Sequence, residues 1–257
     1  MSYSISAVDR AIQLLEVMAE TPDAGVSELA ERTGFTKSLI FRLLFTLEER
    51  GFVIKDAVRR TYSLGWRAML LGDDARRQSK LISSAEPYMD QLFLAFGHNV
   101  ILQILDRDSS VVIAQRRART DGRVYANAMR RGPLYAGGGS KVLLAYAPSD
   151  VTERVLSQPL ARFTPNTICD SERLREVLAV IRRDGWAISN AEVDHDVTSV
   201  AVPVFSANGE PVAALSVNGN SATLSPESCG LILDQLRAAT SQIARMIGNF
   251  TISKASA

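Results

Sequence analysis

The chain has 257 residues, of which 46% are apolar and 22% charged, enough for one large domain or two unequal domains with ordinary cores. This composition excludes a disordered chain, and a net charge of +1 excludes a protein that binds nucleic acid through bulk positive charge. The total hides a separation of charge: residues 1–31 carry one basic and six acidic residues, whereas residues 32–67 carry eight basic and three acidic ones.

The sequence favours a cytoplasmic protein without a membrane anchor. Its first residues show no basic region followed by an apolar run, and no stretch reaches the roughly 18 apolar residues of a membrane span. Cys169 and Cys229 are far apart and are expected to be reduced structural thiols. His195, between two aspartates, resembles part of a metal or acid–base site but lacks a second histidine nearby, so neither a metal nor a cofactor is predicted.

Three helices and a hairpin are predicted in the first 65 residues. The first helix places Val8, Ile12, Leu15 and Ala19 on one face, and Pro22 and Gly25 end it. A second helix is predicted over residues 28–33, with Ser27 as its cap and Gly34 at its end. Thr36 caps a third helix that runs to about Arg50. Residues 52–64 then alternate as a β-hairpin, which completes a winged helix-turn-helix plan.

The third helix separates an apolar face from a polar one. The inward positions are Ile40, Leu43, Leu44 and Leu47, and the outward positions are Ser38, Phe41, Arg42, Phe45 and Glu49. Thr36, Lys37 and Ser38 lie at its N-terminal end, where a recognition helix reaches base edges and phosphates. Arg42 can bind guanine in bidentate fashion, and Phe41 can either touch a thymine methyl or pack against the hairpin or another helix. Lys55, Arg59 and Arg60 lie in the predicted wing. The alternatives are a merely solvated basic face and a winged helix that serves protein contacts.

The remainder predicts an α+β domain with a mostly antiparallel sheet. Residues 66–96 read as helix, interrupted at residues 72–80 and at Pro87, and form the connection between domains. Strands are predicted at residues 100–105, 111–115, 124–129, 186–191, 199–205 and 212–217, and helices at residues 140–147, 151–157 and 171–184. Ser225 caps a last helix whose apolar face is Ile232, Leu236, Ala239, Ile243 and Met246.

Several short motifs, in their order and spacing, resemble the IclR (isocitrate lyase regulator) family of bacterial transcription factors. They are residues 7–15 (AVDRAIQLL), 27–30 (SELA), 33–38 (TGFTKS), 62–65 (YSLG), 138–145 (GGSKVLLA), Glu192 and 199–203 (SVAVP). The resemblance implies a winged helix-turn-helix domain over residues 1–67, a linker helix region over residues 68–80 and a GAF-like effector-binding domain over residues 81–257. It also implies homodimers, often dimers of dimers, on palindromic double-stranded operator DNA.

The resemblance further implies that backbone amides of Gly138 and Gly139 hold the carboxylate of a small organic or aromatic acid. As a bare motif, a glycine run before a helix is equally an ordinary tight turn. The other pocket positions that the resemblance implies are Ser189, Val197, Ser199, Ala201, Ser216 and Asn218. Ser189 and Ala191 stand where the family often has acidic residues, so the pocket is expected to be less acidic than that of a glyoxylate-type sensor.

Two questions remain open at the level of sequence. The arginine cluster of Arg116, Arg117, Arg119, Arg123, Arg130 and Arg131 either binds an anionic effector or forms solvated strand ends or a subunit contact. The function indicated is an effector-switched regulator of neighbouring catabolic genes, with no catalytic residues. A GAF-like enzyme, or a binding module without DNA recognition, is the alternative, the latter because Leu39 and Phe41 are less polar than the family pattern.

Overall fold

The computed structural model describes residues 4–118 and 131–249. The chain divides into two compact units, Met1–Gln78 and Ser79–Ala257, and the division falls inside the predicted linker region. Within the described ranges, no helix is both long enough and apolar enough to cross a lipid bilayer.

The first unit is a winged helix-turn-helix, as predicted. Its helices are α1 (Ser6–Glu20), α2 (Val26–Thr33), α3 (Lys37–Glu49) and α4 (Trp66–Gln78). Its strands are β1 (Ala24–Gly25), β2 (Val53–Asp56) and β3 (Thr61–Leu64), which form an antiparallel sheet in the order β1-β3-β2. The apolar side chains of α1, α2, α3 and the hairpin enclose one small core.

The core covers a different part of α1 from the face on which Val8, Ile12, Leu15 and Ala19 lie. Leu14 and Met18 are buried against Leu29 and the other core residues, whereas Val8 and Ile12 are about half exposed. Apolar residues occupy two neighbouring faces of this helix, and spacing alone does not decide which face α2 and α3 cover. Of the face that the spacing identified, Leu15 packs against the edge of this core, and Val8 and Ile12 remain exposed.

Chain reversals in the first unit follow the predicted turn chemistry with one exception. Gly34 ends α2 in the left-handed conformation at φ 71°, and the Thr36 hydroxyl caps α3 by accepting from the Leu39 amide at 3.3 Å. Ser27, however, is not the cap of α2, because that helix begins at Val26 with Gly25 as its N-cap. Gly25 pairs with Thr61 in the small sheet, so the chain enters α2 directly from a strand.

The helical region after the hairpin is less interrupted than predicted. Helix α4 continues through Gly72 to Gln78, and α5 (Lys80–Phe96) begins after the single residue Ser79. The Ser79 hydroxyl caps α5 by accepting from the Ile82 amide at 3.3 Å. Pro87 lies inside α5 without ending it, because both Pro87 and the Ser83 carbonyl that loses its amide partner lie on the exposed side.

The second unit is built on a six-stranded sheet in which every pairing is antiparallel, as predicted for the α+β fold. The strands are β4 (Asn99–Asp106), β5 (Ser109–Arg116), β6 (Arg131–Pro133), β7 (Ala187–Asn190), β8 (Val197–Phe205) and β9 (Pro211–Asn220), in the order β6-β5-β4-β9-β8-β7. The helices besides α5 are α6 (Gly138–Ala145), α7 (Ser149–Leu156), α8 (Ser171–Asp184) and α9 (Pro226–Ile247). Strand β6 was not predicted, and the predicted strand at residues 124–129 lies outside the described residues.

The two faces of the sheet are filled differently. Val200, Val202 and Leu215 point to the face covered by α5 and α9, where they join a core of large aliphatic side chains. Their neighbours Ala201 and Ala214 point to the opposite face, where they meet the residues of α6, α7 and α8. Because these neighbours are small, α6 lies close to the sheet and all eight of its residues are buried.

Helix α9 begins as predicted, with Ser225 as its cap and Pro226 in its first turn. Its buried face includes the predicted Ile232, Leu236, Ala239 and Ile243. The prediction failed at the last turn, where Ile247 is buried and Met246 is 47% exposed. The buried stripe continues from Ile243 by four residues rather than three, which leaves Met246 at its edge.

Replacing Leu236 by Ala should lower the free energy of unfolding by about 2 to 5 kcal/mol, because it removes a fully buried side chain from the larger core. Urea unfolding followed by circular dichroism measures the change. Leu231→Ala on the same helix is the matched control, since Leu231 is 65% exposed and its loss should cost less than about 0.5 kcal/mol. Equal effects of the two substitutions would contradict the packing of α9 described above.

Candidate functional site

The outer face of α3 presents polar and basic groups at its N-terminal end. Thr36, Lys37, Ser38 and Arg42 are exposed, and within the described residues neither Lys37 nor Arg42 forms an ion pair. Phe41 is 56% exposed. An exposed aromatic ring among hydrogen-bonding groups suits contact with the edges of bases in the major groove.

The hairpin carries its basic residues on a turn stabilised from within. The Asp56 carboxylate accepts from the amides of Val58 at 2.8 Å and Arg59 at 3.0 Å, and Arg60 adopts a positive φ of 57°. Lys55 Nζ lies 5.8 Å from the centroid of the Tyr62 ring. Lys55, Arg59 and Arg60 are all exposed beside Val58, which is 93% exposed. The hairpin thus has the shape and charge of a wing that contacts the DNA backbone.

A cavity of about 510 Å³ lies in the second unit between the sheet, the first turn of α6 and the loops around Phe163 and Asp194. Every strand of the six-stranded sheet contributes at least one residue to its wall. Six of the predicted effector residues line it: Gly138, Gly139, Ser189, Val197, Ser199 and Asn218. The lining also includes Ile101, Gln103, Ser110, Val112, Gln115, Arg117, Gly132, Pro133, Ala136, Gly137, Ser140 and Val193.

The two other predicted residues, Ala201 and Ser216, do not form the wall. They pair with each other across β8 and β9, two residues along each strand from the Ser199–Asn218 pair that lines the cavity. Both are fully buried beneath α6. The Ser216 hydroxyl has no hydrogen-bond partner among the described residues. It lies 3.7 Å from the position of a Cβ on Gly139, so it supports the glycine turn from below.

Glycine is required where α6 begins because the sheet is too close for a side chain. A Cβ on Gly138 would stand 2.7 Å from the Ser199 hydroxyl, and one on Gly139 would stand 2.0 Å from Gln103 Oε1. The preceding Gly137 has a φ of 92°, which disfavours other residues. The first-turn amides of a helix lack intrahelical acceptors and point outward, so Gly138 and Gly139 can offer two N–H donors to an anion in the cavity.

A buried ion pair fixes this turn. Lys141 Nζ pairs with Glu192 Oε1 and also donates to the Ile188 carbonyl at 3.1 Å, while the Gly137 amide donates to Glu192 Oε2 at 3.3 Å. The side chains of Lys141 and Glu192 are only 2% and 8% exposed. Glu192 therefore occupies the Gly137 amide and leaves the amides of the next residues to the cavity.

Hydrogen bonds extend from this pair to the loops above the cavity. The hydroxyl of Thr164 donates to the Ala191 carbonyl at 2.5 Å, and that of Thr167 donates to the Glu192 carbonyl at 2.6 Å. The loop that carries Phe163 is thereby attached to the loop that carries Asp194, and both residues line the cavity. The position of α6 and the shape of the cavity opening are thus linked through one network.

The cavity wall contains polar residues that the sequence analysis did not identify. Gln103 and Gln115 extend from β4 and β5, and Ser110 shares a hydrogen bond of 2.9 Å with Ser140. On β4, Ile101 and Gln103 alternate toward the cavity, a period of two that could have indicated a common face. The bulge after Leu102 in the β4–β5 pairing breaks any simple extension of that pattern to β5.

The arginine cluster does not act as a unit in the part of the chain that the structure describes. Arg116 pairs with Asp90 at 2.5 Å and lies 3.8 Å from Glu86 on α5, and its guanidinium lowers the pKa of the Asp90 carboxyl. Arg131 pairs with Asp106, whereas Arg117 lines the cavity. Arg119, Arg123 and Arg130 lie outside the described residues.

Among the described residues, no group of three or more metal-ligating side chains is close enough to hold an ion, and His195 is exposed in the loop before β8. Cys169 and Cys229 are both free thiols. Burial raises the pKa of the Cys229 thiol, which disfavours the reactive thiolate.

A winged helix with an exposed basic face, joined in one chain to a unit with a ligand-sized cavity, defines the class of DNA-binding regulators that respond to small molecules. Residues 7–57 match the family model of the IclR helix-turn-helix domain, and residues 75–245 match that of the bacterial transcriptional regulator IclR C-terminal domain. The chain belongs to the IclR family of transcriptional regulators, and it is a DNA-binding regulator with a domain for a small-molecule effector.

Relatives with assigned names match over nearly the whole chain. The transcriptional regulator KdgR of Escherichia coli (strain K12) is 31% identical over 246 residues, which cover 95% of this chain and 94% of the relative. The regulator BhcR of Paracoccus denitrificans (strain Pd 1222) is 30% identical over 244 residues, covering 95% of this chain and 88% of the relative.

Solved structures of similar proteins share the fold. An IclR transcriptional regulator from Alicyclobacillus acidocaldarius superimposes with a TM-score of 0.86 at 27% identity, covering 96% of this chain and all of the other. An IclR homologue from Microbacterium hydrocarbonoxydans, crystallised with 4-hydroxybenzoate, superimposes with a TM-score of 0.80 at 25% identity, covering 94% of this chain and 98% of the other.

Replacing Lys141 by Met should lower the free energy of unfolding by about 3 to 5 kcal/mol, because the Glu192 carboxylate is left buried without its partner. The double variant Lys141→Met/Glu192→Gln should regain part of this loss. Urea unfolding measures both changes. Arg173→Met, which breaks an exposed pair with Glu176, is the control and should cost less than about 1 kcal/mol. A loss in Lys141→Met no larger than in the control would refute the role assigned to the buried pair.

Proposed function

We propose that the chain binds a palindromic operator through α3 and the wing, and that an organic acid in the cavity of the second unit changes this binding. The observation that carries the proposal is the presence in one chain of an exposed basic recognition face and a cavity bordered by the first-turn amides of α6. The functional boundaries we propose are residues 1–67 for DNA binding, 68–80 for the linker and 81–257 for the effector.

Each exposed residue of the DNA-binding face has a separate proposed role. Arg42 donates two hydrogen bonds to a guanine, and Phe41 contacts a thymine methyl beside it. Thr36, Lys37 and Ser38 contact phosphates or base edges at the start of α3, where the helix dipole also favours phosphate. Lys55, Arg59 and Arg60 contact the backbone through the wing. The exposure of these side chains supports the assignment.

For the effector, we propose that its carboxylate accepts from the amides of Gly138 and Gly139. Ser189, Val197, Ser199 and Asn218 form the adjacent wall, and Ser199 donates to Asn218 Oδ1 at 2.8 Å, which orients both polar groups. Ala201 and Ser216 act indirectly, by setting how closely α6 approaches the sheet. An effector shifts the regulator only if it binds the DNA-bound and free arrangements with unequal affinity.

We also propose that the chain acts in the cytoplasm as a homodimer, with pairing of dimers as a further step. Two helices of the first unit support the dimer because each exposes apolar residues that its own unit does not cover. They are Ile5, beside α1, with Val8 and Ile12 on that helix, and Trp66, Met69, Leu70 and Leu71 on α4. Exposed apolar groups of this kind mark protein–protein contacts, and a two-fold dimer presents two recognition helices to two half-sites.

Replacing Arg42 by Ala should weaken operator binding by about 10- to 100-fold, because it removes a bidentate contact to one base. Fluorescence anisotropy with labelled DNA from the upstream region of the protein's own gene measures the affinity across a salt series. Lys55→Ala should instead reduce the number of ions released on binding by about one, as read from the slope of log affinity against log salt concentration. It should weaken binding to all DNA sequences alike.

Arg173→Ala is the control for these variants, because Arg173 lies on α8 of the second unit in an exposed pair. It should bind the operator with wild-type affinity. If Arg42→Ala bound the operator as tightly as this control, α3 would not be the recognition helix in the orientation proposed.

Replacing Leu70 by Glu should break the dimer, because the change places a charge in the apolar contact that α4 is proposed to make. Light scattering coupled to size exclusion should show a monomer mass, with operator affinity lowered about 100-fold or more by the loss of two-site binding. Val58→Glu at the tip of the wing, where the side chain is 93% exposed, should keep the dimer mass. A dimer in both variants would count against the role of α4.

A further inference from the structure

We propose that the effector is a hydroxylated aliphatic dicarboxylate, a sugar diacid, and that Arg117 binds its second carboxylate. The inference rests on the proposed function, since it assigns a ligand class to the same cavity. It depends on where the charged and hydrogen-bonding groups of the wall lie relative to the glycine turn.

The cavity offers anion-binding groups in two separate places. The amides of Gly138 and Gly139 form the first, with Gly138 against Ser199 of β8 and Gly139 against Gln103 of β4. Arg117 forms the second, directly after the end of β5. Gly138 lies against β8, which is three strand spacings of about 4.8 Å from β5. Gly139 lies against Gln103, three residues along β4 from the Val100 that pairs with Arg116, which is about 10 Å at roughly 3.3 Å per residue. A chain of several carbons with an acid at each end can contact both, whereas a two-carbon acid cannot.

The side chain of Gln115, near the end of β5, orients the guanidinium of Arg117. With the Gln115 amide turned so that its oxygen faces the arginine, that oxygen accepts from Arg117 Nε at 3.1 Å and Nη2 at 2.7 Å. The opposite orientation would place the amide NH₂ against guanidinium donors. A guanidinium held in one plane is suited to a carboxylate, which it can bind through two parallel hydrogen bonds.

Between these places the wall consists of hydrogen-bonding side chains that the protein leaves partly unused. Within the described residues, the side chains of Gln103 and Ser189 have no protein hydrogen-bond partner, and Asn218 uses only its oxygen, which accepts from Ser199. Gln103 and Asn218 can donate through their amide NH₂ groups, and Ser189 can donate or accept. A ligand that left these groups desolvated and unpaired would lose affinity, so the wall selects for hydroxyl groups along the ligand.

The carboxylate of Asp194 favours diacids that carry hydroxyl groups over diacids that carry none. This carboxylate lines the cavity from the connection between β7 and β8, toward the opposite edge of the sheet from Arg117. A carboxylate accepts hydrogen bonds and repels another carboxylate, so this end of the wall favours a hydroxyl donor. Phe163 is the one aromatic ring among the wall residues that the structure describes, and it stacks on Tyr135 at a ring distance of 6.1 Å. The wall thus provides no second ring to sandwich an aromatic acid.

Four probes test the ligand class: galactarate as a hydroxylated six-carbon diacid, adipate as the same length without hydroxyls, gluconate as a hydroxylated monoacid and 4-hydroxybenzoate as an aromatic monoacid. Isothermal titration of the full chain with each measures the affinity. We expect galactarate to bind at least about 10-fold more tightly than any other probe. Absence of galactarate binding, or tighter binding of 4-hydroxybenzoate or adipate, would overturn the inference.

The substitution Arg117→Gln tests the assigned residue. It should weaken galactarate binding by about 10- to 100-fold and change gluconate binding by less than about two-fold, because gluconate has no second carboxylate. Arg173→Gln, which removes an equal charge outside the cavity, should change neither affinity. An equal loss for both ligands in Arg117→Gln would mean that the residue acts on the fold rather than on the second acid.

Measurements of DNA binding with and without galactarate distinguish a failure of this inference from a failure of the proposed function. Arg117→Gln without ligand should bind the upstream DNA with wild-type affinity, and galactarate should change the affinity of the wild type but not that of the variant at the same concentration. Unchanged DNA binding with no galactarate response would overturn the ligand class alone. Absence of DNA binding by the wild type both with and without galactarate would overturn the proposed function itself.

Discussion

Helix α6 lies so close to the six-stranded sheet that all eight of its residues are buried. Such an approach needs small residues on both sides, and the chain provides Gly138 and Gly139 on the helix and Ala201 and Ala214 on the strands. The consequence is that the amides at the cavity are positioned by backbone packing, which does not depend on the rotamer of any long side chain. The same closeness buries the charge of Lys141, so the fold requires a carboxylate at the position of Glu192.

Features determined by neighbouring residues could be predicted from the sequence. Thr36 and Ser225 begin helices by accepting from amides three positions away, and Gly34 ends α2 through its own left-handed conformation; all three behave as predicted. Features that depend on distant packing could not. Spacing along α1 identified an apolar face but not which of two faces the core would cover, and Gly25 became a cap because Thr61, far along the chain, pairs with it.

The cavity likewise combines residues that local sequence patterns identify with residues that only distant packing brings together. Its glycine turn and Ser199 belong to sequence motifs, whereas Gln103, Gln115 and Phe163 join them only through sheet pairing and loop contacts that no local pattern encodes. The arginine cluster is instructive because neighbouring residues of an extended chain point to opposite faces. Arg116 turns toward Asp90 on α5, and Arg117 turns toward the cavity on the other face. Composition could identify the cluster but not assign different tasks to two adjacent arginines.

The small net charge of the chain is consistent with DNA binding once the location of paired charges is considered. In the second unit Arg154, Arg175 and Arg183 each have a carboxylate within 3.5 Å, so these cations contribute little field at a distance. Lys37 and Arg42 form no ion pair within the described residues and stand on the exposed face of α3. Because phosphate contacts act within about a Debye length, unpaired cations on one face matter more than the total. We therefore expect affinity for DNA to depend on a few exposed positions rather than on the total charge.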